Sequence, residues 1–90
     1  MKRVRVKIFG RVQGVFFRYN TRKIAERLGV KGWIRNCEDG SVEAVFEGED
    51  KAVDKIIKWC HKGPSLAKVE KVDVEEEIYR GEFKDFRIVY

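Results

Sequence analysis

Histidine occurs once in this chain, at His61, proline once, at Pro64, and methionine only at Met1. A single histidine excludes a His-rich metal centre, and together with Cys37 and Cys60 it lacks the spacing of zinc ligands. The two cysteines form no Cys-x-x-Cys pair, and no apolar core follows the N-terminus as it would in a secretory leader. Both thiols are therefore read as free, in a cytoplasmic protein. No apolar run approaches the length of a membrane-spanning helix, so a soluble chain without membrane contact is expected. Neither Ser41 nor Ser65 sits in a Gly-x-Ser-x-Gly elbow, and no pair of carboxylates is set apart for acid–base work. Amides are scarce as well, limited to Gln13, Asn20 and Asn36.

What the chain has in abundance is charge. Of its 90 residues 39% are Asp, Glu, Lys or Arg, against roughly 25% in ordinary domains. The net charge of +5 would suit an anionic partner, but acids and bases are interspersed and mostly read as a solvated surface. Dense Lys and Glu with few amides point to a heat-adapted, thermostable protein. Hydrophobic residues make up 43%, enough for one modest core, and the length admits a single domain over 1–90.

The periodicities give two β-α-β halves. Val4, Val6 and Ile8 alternate with Arg3, Arg5 and Lys7, a strand with one apolar and one wet face. Ile24, Ala25 and Leu28 have helical spacing, and Gly29 stands where a helix ends. A second strand is expected over 31–37, then the Asp39-Gly40 turn signal and a third over 42–48. Asp50 is expected to cap a second helix that carries Val53, Ile56, Ile57 and Cys60 on one face and stops at Gly63-Pro64. His61 reads as a cation near that helix's C-terminus. Strands over 69–76 and through Phe86, Ile88 and Tyr90 complete a ferredoxin-like α+β plan, β-α-β-β-α-β plus a short terminal strand. An antiparallel sheet with both helices on one face is expected. Arg3, Arg5 and Lys7 would then find Glu43, Glu47 or the Glu75 region across the wet face.

The segment Gly10-Arg11-Val12-Gln13-Gly14-Val15-Phe16-Phe17-Arg18 carries the functional signal. Two glycines frame a loop that ends in an arginine where a strand gives way to a helix. Such a loop lets backbone N–H groups converge on a phosphate, with the helix N-terminus and a forked cation beside them. The same Gly-x-x-x-Gly spacing also reads as a tight turn. Phe16 and Phe17 are expected to pack between helix and sheet, as are Trp33 and Trp59. No strand carries the Lys/Arg-Gly-Phe/Tyr-Gly/Ala-Phe run of an RNA-binding sheet, so no nucleic-acid partner is expected. Asn36, just before the Asp39-Gly40 turn, reads either as a turn residue or as a placed amide.

Together with Gly32-Trp33-Ile34-Arg35-Asn36-Cys37-Glu38-Asp39-Gly40-Ser41-Val42, the Gly10–Arg18 segment resembles the paired signatures of the acylphosphatases. Trp59-Cys60-His61-Lys62-Gly63-Pro64 and Phe86-Arg87-Ile88 resemble later landmarks of that family, so the likeness spans essentially the whole chain. It implies a small cytoplasmic hydrolase that cleaves acyl phosphates to a carboxylate and inorganic phosphate. Arg18 and the N–H groups of Gln13, Gly14, Val15, Phe16 and Phe17 would bind the phosphoryl group, and Asn36 would orient the attacking water. The resemblance implies no metal or organic cofactor, and a monomer is expected. The open alternatives are a ferredoxin-like module that binds RNA, and one that binds acyl or carbamoyl phosphate without turnover.

Overall fold

Alternation in β1 (Lys2–Arg11) sends Val4, Val6 and Ile8 into the core, none more than 1% exposed, as the sequence pattern expects. A computed structural model describes residues 1–90 and contains four further strands. They are β2 (Lys31–Asn36), β3 (Val42–Gly48), β4 (Lys68–Glu77) and β5 (Phe86–Ile88). The sheet order is β4-β1-β3-β2-β5. Helix α1 (Phe17–Leu28) buries Phe17, Thr21 and Ala25, each four residues after the last, and ends at Gly29, whose N–H reaches back to the carbonyls of Ala25 and Glu26. Helix α2 (Asp50–Cys60) buries Val53, Ile56 and Cys60. These side chains meet Ile34, Val42, Ala44 and Phe46 from the sheet in one core, where burying a Val, Ile or Phe contributes about 1.5–3 kcal/mol.

Three local readings differ from expectation. The α2 N-cap is Glu49 rather than Asp50, and no side chain caps the helix; Asp50 instead lies in its first turn, where a carboxylate complements the positive dipole end. The helix closes at Cys60, before the Gly63-Pro64 stop. The sheet is mixed: β1, β2, β3 and β4 pair antiparallel, but β5 runs parallel to β2, with Gly32 opposite Phe86 and Ile34 opposite Ile88.

On the sheet face away from the helices, Arg3 stands opposite Glu47 and Lys7 opposite Glu43, and Arg5 stands opposite Glu75 on the other side. The expected charge pairing is there, but one end of the face is dry: Arg3 is 7% and Glu47 3% exposed. Arg3 donates to Glu47, Glu77 and Glu82, and its guanidinium carbon lies 5.2 Å from the Phe83 ring. Glu47 also accepts the N–H groups of Arg80 at 2.9 Å and Gly81 at 3.2 Å, so the connection from β4 to β5 folds over this end of the sheet. Burial works against the Glu47 charge, yet the Arg80 and Gly81 N–H groups and Arg3 outweigh it and hold the carboxyl below its ordinary range.

The tryptophans separate. Trp59 packs on the core with its ring centroid 5.3 Å from that of Phe17. Trp33 does not: strand alternation turns it away from Ile34's face, and its half-buried ring lies between the guanidinium groups of Arg5 and Arg35, each 5.7 Å away. Both cysteines are free, and burial pushes the Cys60 thiol up. No helix is long and apolar enough to cross a membrane.

Candidate active site

Between β1 and α1 the chain turns through residues 12–16, pinned by the buried side chains of Val12 and Val15. The two glycines of this segment do different things. Gly10 belongs to the sheet: at φ 126°, beside a break in register after Phe9, a Cβ there would come 2.2 Å from the Lys68 carbonyl oxygen. Gly14 belongs to the loop, with φ 74° and open space around it. Phe16 is the N-cap residue of α1 and lies in the left-handed region, φ 66° and ψ 25°. For a non-glycine residue such backbone costs on the order of 1–3 kcal/mol.

This turn leaves a run of donors unused. From Gln13 to Tyr19 no backbone N–H finds an acceptor within the protein; the first in the helix to do so is that of Asn20, which bonds the Phe16 carbonyl at 3.1 Å. The first turn of α1 contains no acidic residue, so nothing cancels the positive end of its dipole. Asn20 reinforces the corner, its Nδ2 donating to the same Phe16 carbonyl at 2.8 Å.

Arg18 is half-buried in that first turn and makes no ion pair; its guanidinium carbon lies 5.4 Å from the ring centroid of Tyr90. It lines a cavity of about 450 Å³ with Gly14, Phe16, Tyr19, Arg22, Ile88 and Tyr90, besides Val12 and Phe17. Phe16 corrects the expectation of core packing: its ring is 66% exposed, because the left-handed N-cap turns it outward, while Phe17 one position on is 1% exposed.

Asn36 ends β2 opposite Val42 and does not line that cavity. Its Oδ1 is buried and accepts no hydrogen bond within the protein, a condition that typically costs about 1–3 kcal/mol. The turn after it is tightly bonded: the Cys37 N–H donates to the Ser41 carbonyl at 2.8 Å, and Ser41 donates to Asp39 through both hydroxyl and N–H. Those two bonds, with Lys7, lower the Asp39 carboxyl to about 2. Gln13 joins the two halves of the site. Its Nε2 donates to the carbonyls of Cys37 at 2.8 Å and Ser41 at 2.9 Å, fastening the loop to the hairpin that carries Asn36. Of the sequence-predicted residues, the cavity thus gathers Gly14, Phe16, Phe17 and Arg18, Val15 serves as an anchor, and Asn36 is linked through Gln13. No group of three or more His, Cys, Asp or Glu side chains is arranged to hold a metal.

Comparison with known proteins decides the family. Residues 4–88 match the family model described as acylphosphatase. The chain belongs to the acylphosphatase family. An acylphosphatase of Rubrobacter xylanophilus is 62% identical over 97% of this chain and 79% of its own length, and one of Syntrophus aciditrophicus is 60% identical over 100% and 94%. The crystal structure of the Bacillus subtilis acylphosphatase superposes with a TM-score of 0.95 at 34% identity, covering all of both chains. As an acylphosphatase, the chain is an enzyme for the hydrolysis of acyl phosphates, with inorganic phosphate as a product.

Proposed function

We propose that Arg18 and the N–H groups from Gln13 to Phe17 hold the phosphoryl group of the acyl phosphate, while Asn36 orients the water that attacks phosphorus. The observation that carries this reading is the unbroken row of unbonded N–H donors at an uncompensated helix N-terminus, in the same turn as an unpaired guanidinium. Such donors favour an anion, and the guanidinium adds bidentate geometry. For Asn36 the support is its buried, unbonded Oδ1, an acceptor free to take an O–H, together with the Gln13 tie between hairpin and loop.

An acyl phosphate is a mixed anhydride. Water adds to phosphorus, the phosphorus–oxygen bond to the acyl group breaks, and the bonding pair leaves with a carboxylate too weakly basic to require protonation. The remaining requirement is to position the water and to stabilise charge on the equatorial oxygens, which a guanidinium and a ring of N–H groups supply. A phosphoryl oxygen of the substrate accepts the proton that the water loses. In this reading the 90 residues act as one domain, a cytoplasmic monomer that takes a small-molecule acyl phosphate and neither nucleic acid nor membrane; a cavity of about 450 Å³ beside Arg18 supports the small-molecule substrate.

Phosphate release from benzoyl phosphate, with a phosphate monoester as control, tests the assignment. Arg18→Ala should lose turnover and inhibition by inorganic phosphate together, and Arg18→Lys should not restore them, since a point charge does not reproduce the fork. Asn36→Ala should lower kcat by about two orders of magnitude with phosphate inhibition kept. Near-normal turnover in Arg18→Ala would refute the phosphoryl role, and turnover without selectivity over the monoester would favour a different phosphatase chemistry.

A further inference from the structure

Phe16 combines two features that folding does not reward. Its backbone is left-handed, and the residue, which lines the cavity, is 66% exposed. Tyr19, 48% exposed, lies one helical turn further along and lines the same cavity as Phe16, Gly14 and Arg18. A second hollow of about 220 Å³ is also lined by Phe16 and Tyr19, with Pro64 and the 60% exposed Leu66 as further apolar walls and Asn20 and Ser65 as polar ones. An apolar platform therefore begins at the very residue whose N–H belongs to the proposed phosphoryl loop.

The geometry points to Phe16 and Tyr19 as the subsite for the acyl group, selecting acyl phosphates with an aromatic or bulky aliphatic acyl moiety over those with a small one. The inference rests on the phosphoryl role of Arg18 and its loop. In an acyl phosphate the acyl carbon is one bridging oxygen from phosphorus, so a phosphoryl group held at Gly14 and Arg18 brings its acyl substituent beside the side chains of the next turn. The Phe16 ring has no cation over it, whereas the half-exposed Tyr19 ring carries Arg22 at 6.0 Å and Lys23 at 5.4 Å, so an apolar acyl group laid here leaves water mainly together with Phe16. The left-handed backbone of Phe16 is what aims its ring outward, while Phe17, in the helix, enters the core.

The test is a ratio of specificities. The kcat/KM for benzoyl phosphate divided by that for acetyl phosphate is measured in the wild-type enzyme and in Phe16→Gly, so that any loss common to both substrates through the loop cancels. Glycine suits the left-handed backbone and removes only the ring. The ratio is expected to fall about tenfold, as loss of some 50 Å² of apolar contact would give. Tyr19→Ala, whose backbone is ordinary helix, is expected to lower the ratio in the same direction and carries the test if Phe16→Gly does not fold. A ratio within twofold of wild type in the folded variant overturns the inference. Competitive inhibition of the wild-type enzyme by inorganic phosphate is read in the same assay: its absence refutes the phosphoryl reading, whereas inhibition with an unchanged ratio refutes the acyl subsite alone.

Discussion

Removing the Gln13 carboxamide should separate phosphate binding from turnover in a measurable way. Its Nε2 makes two hydrogen bonds, to the carbonyls of Cys37 and Ser41, and each carbonyl keeps a backbone partner, Gly40 N–H for the first and Cys37 N–H for the second. Gln13→Ala therefore orphans no buried acceptor, and the loss is the net worth of two bonds, about 1–3 kcal/mol. At about 4–8 °C per kcal/mol for a domain of this size, the thermal midpoint should drop by roughly 4–24 °C. The backbone N–H of residue 13 remains, so inhibition by inorganic phosphate should change by less than about threefold. Turnover should suffer far more, by about one to two orders of magnitude, because the hairpin that carries Asn36 is no longer fastened to the loop that carries Arg18. Gln13→Glu should be worse on both counts, since it sets a carboxylate against two carbonyl oxygens. Calorimetry and steady-state kinetics on the same preparations decide the matter. An alanine variant that loses stability with kcat unchanged would refute the coupling and leave Gln13 a purely structural tie.

Further outcomes are expected elsewhere in the molecule. Glu47→Ala should cost about 1–3 kcal/mol in urea unfolding, because it frees the Arg80 and Gly81 N–H groups and removes one of the three carboxylates on Arg3, which keeps Glu77 and Glu82; a cost under about 0.5 kcal/mol would show that water reaches this end of the sheet. The Asp39 carboxyl, lowered from 3.8 to about 2 by its bonds from Ser41, favours the folded state above pH 3.8, and that contribution is lost as the pH falls towards 2. Acid unfolding of Asp39→Asn should lack this part of the pH dependence, and identical acid limbs would count against the Ser41 bonds. Cys37→Ala should retain turnover, since the thiol adjoins Asn36 without a base beside it; abolished activity in a folded variant would bring a phosphocysteine route into consideration. The thermal midpoint of the wild-type chain should exceed about 80 °C at neutral pH and fall modestly with added salt, and a midpoint in the 45–65 °C mesophile range would refute the reading of its charge as heat adaptation.

Much of this was legible because it depends on short-range rules. Period-two alternation placed Val4, Val6 and Ile8, helical spacing placed Ala25 and Leu28, and Gly29 marked the end of α1. The loop with Arg18 and the Asn36 hairpin stood out as motifs. The misreadings arose where a local rule met a long-range one. Phe16 and Phe17 look alike in sequence, but a helix start admits only one of them to the core. The same alternation that buries Ile34 turns Trp33 to the other face, a signal that was available. The dry environment of Arg3 and Glu47 depends on the connection at 78–85, which carries no periodicity, and so does the parallel docking of β5. Gln13 makes contacts 24 and 28 residues away, and nothing in the neighbouring sequence announces them.

The cavity draws its wall from residues far apart in the chain. Val12 and Gly14 come from the connection after the first strand, whereas Ile88 comes from the last strand, a three-residue edge held parallel against β2. The turn after β1 and the Asn36 hairpin both lie in the first half of the chain, but the cavity takes one wall from Ile88 and Tyr90. A chain shortened to residue 85 would lose the wall that Ile88 and Tyr90 supply and leave the Arg18 side of the cavity open.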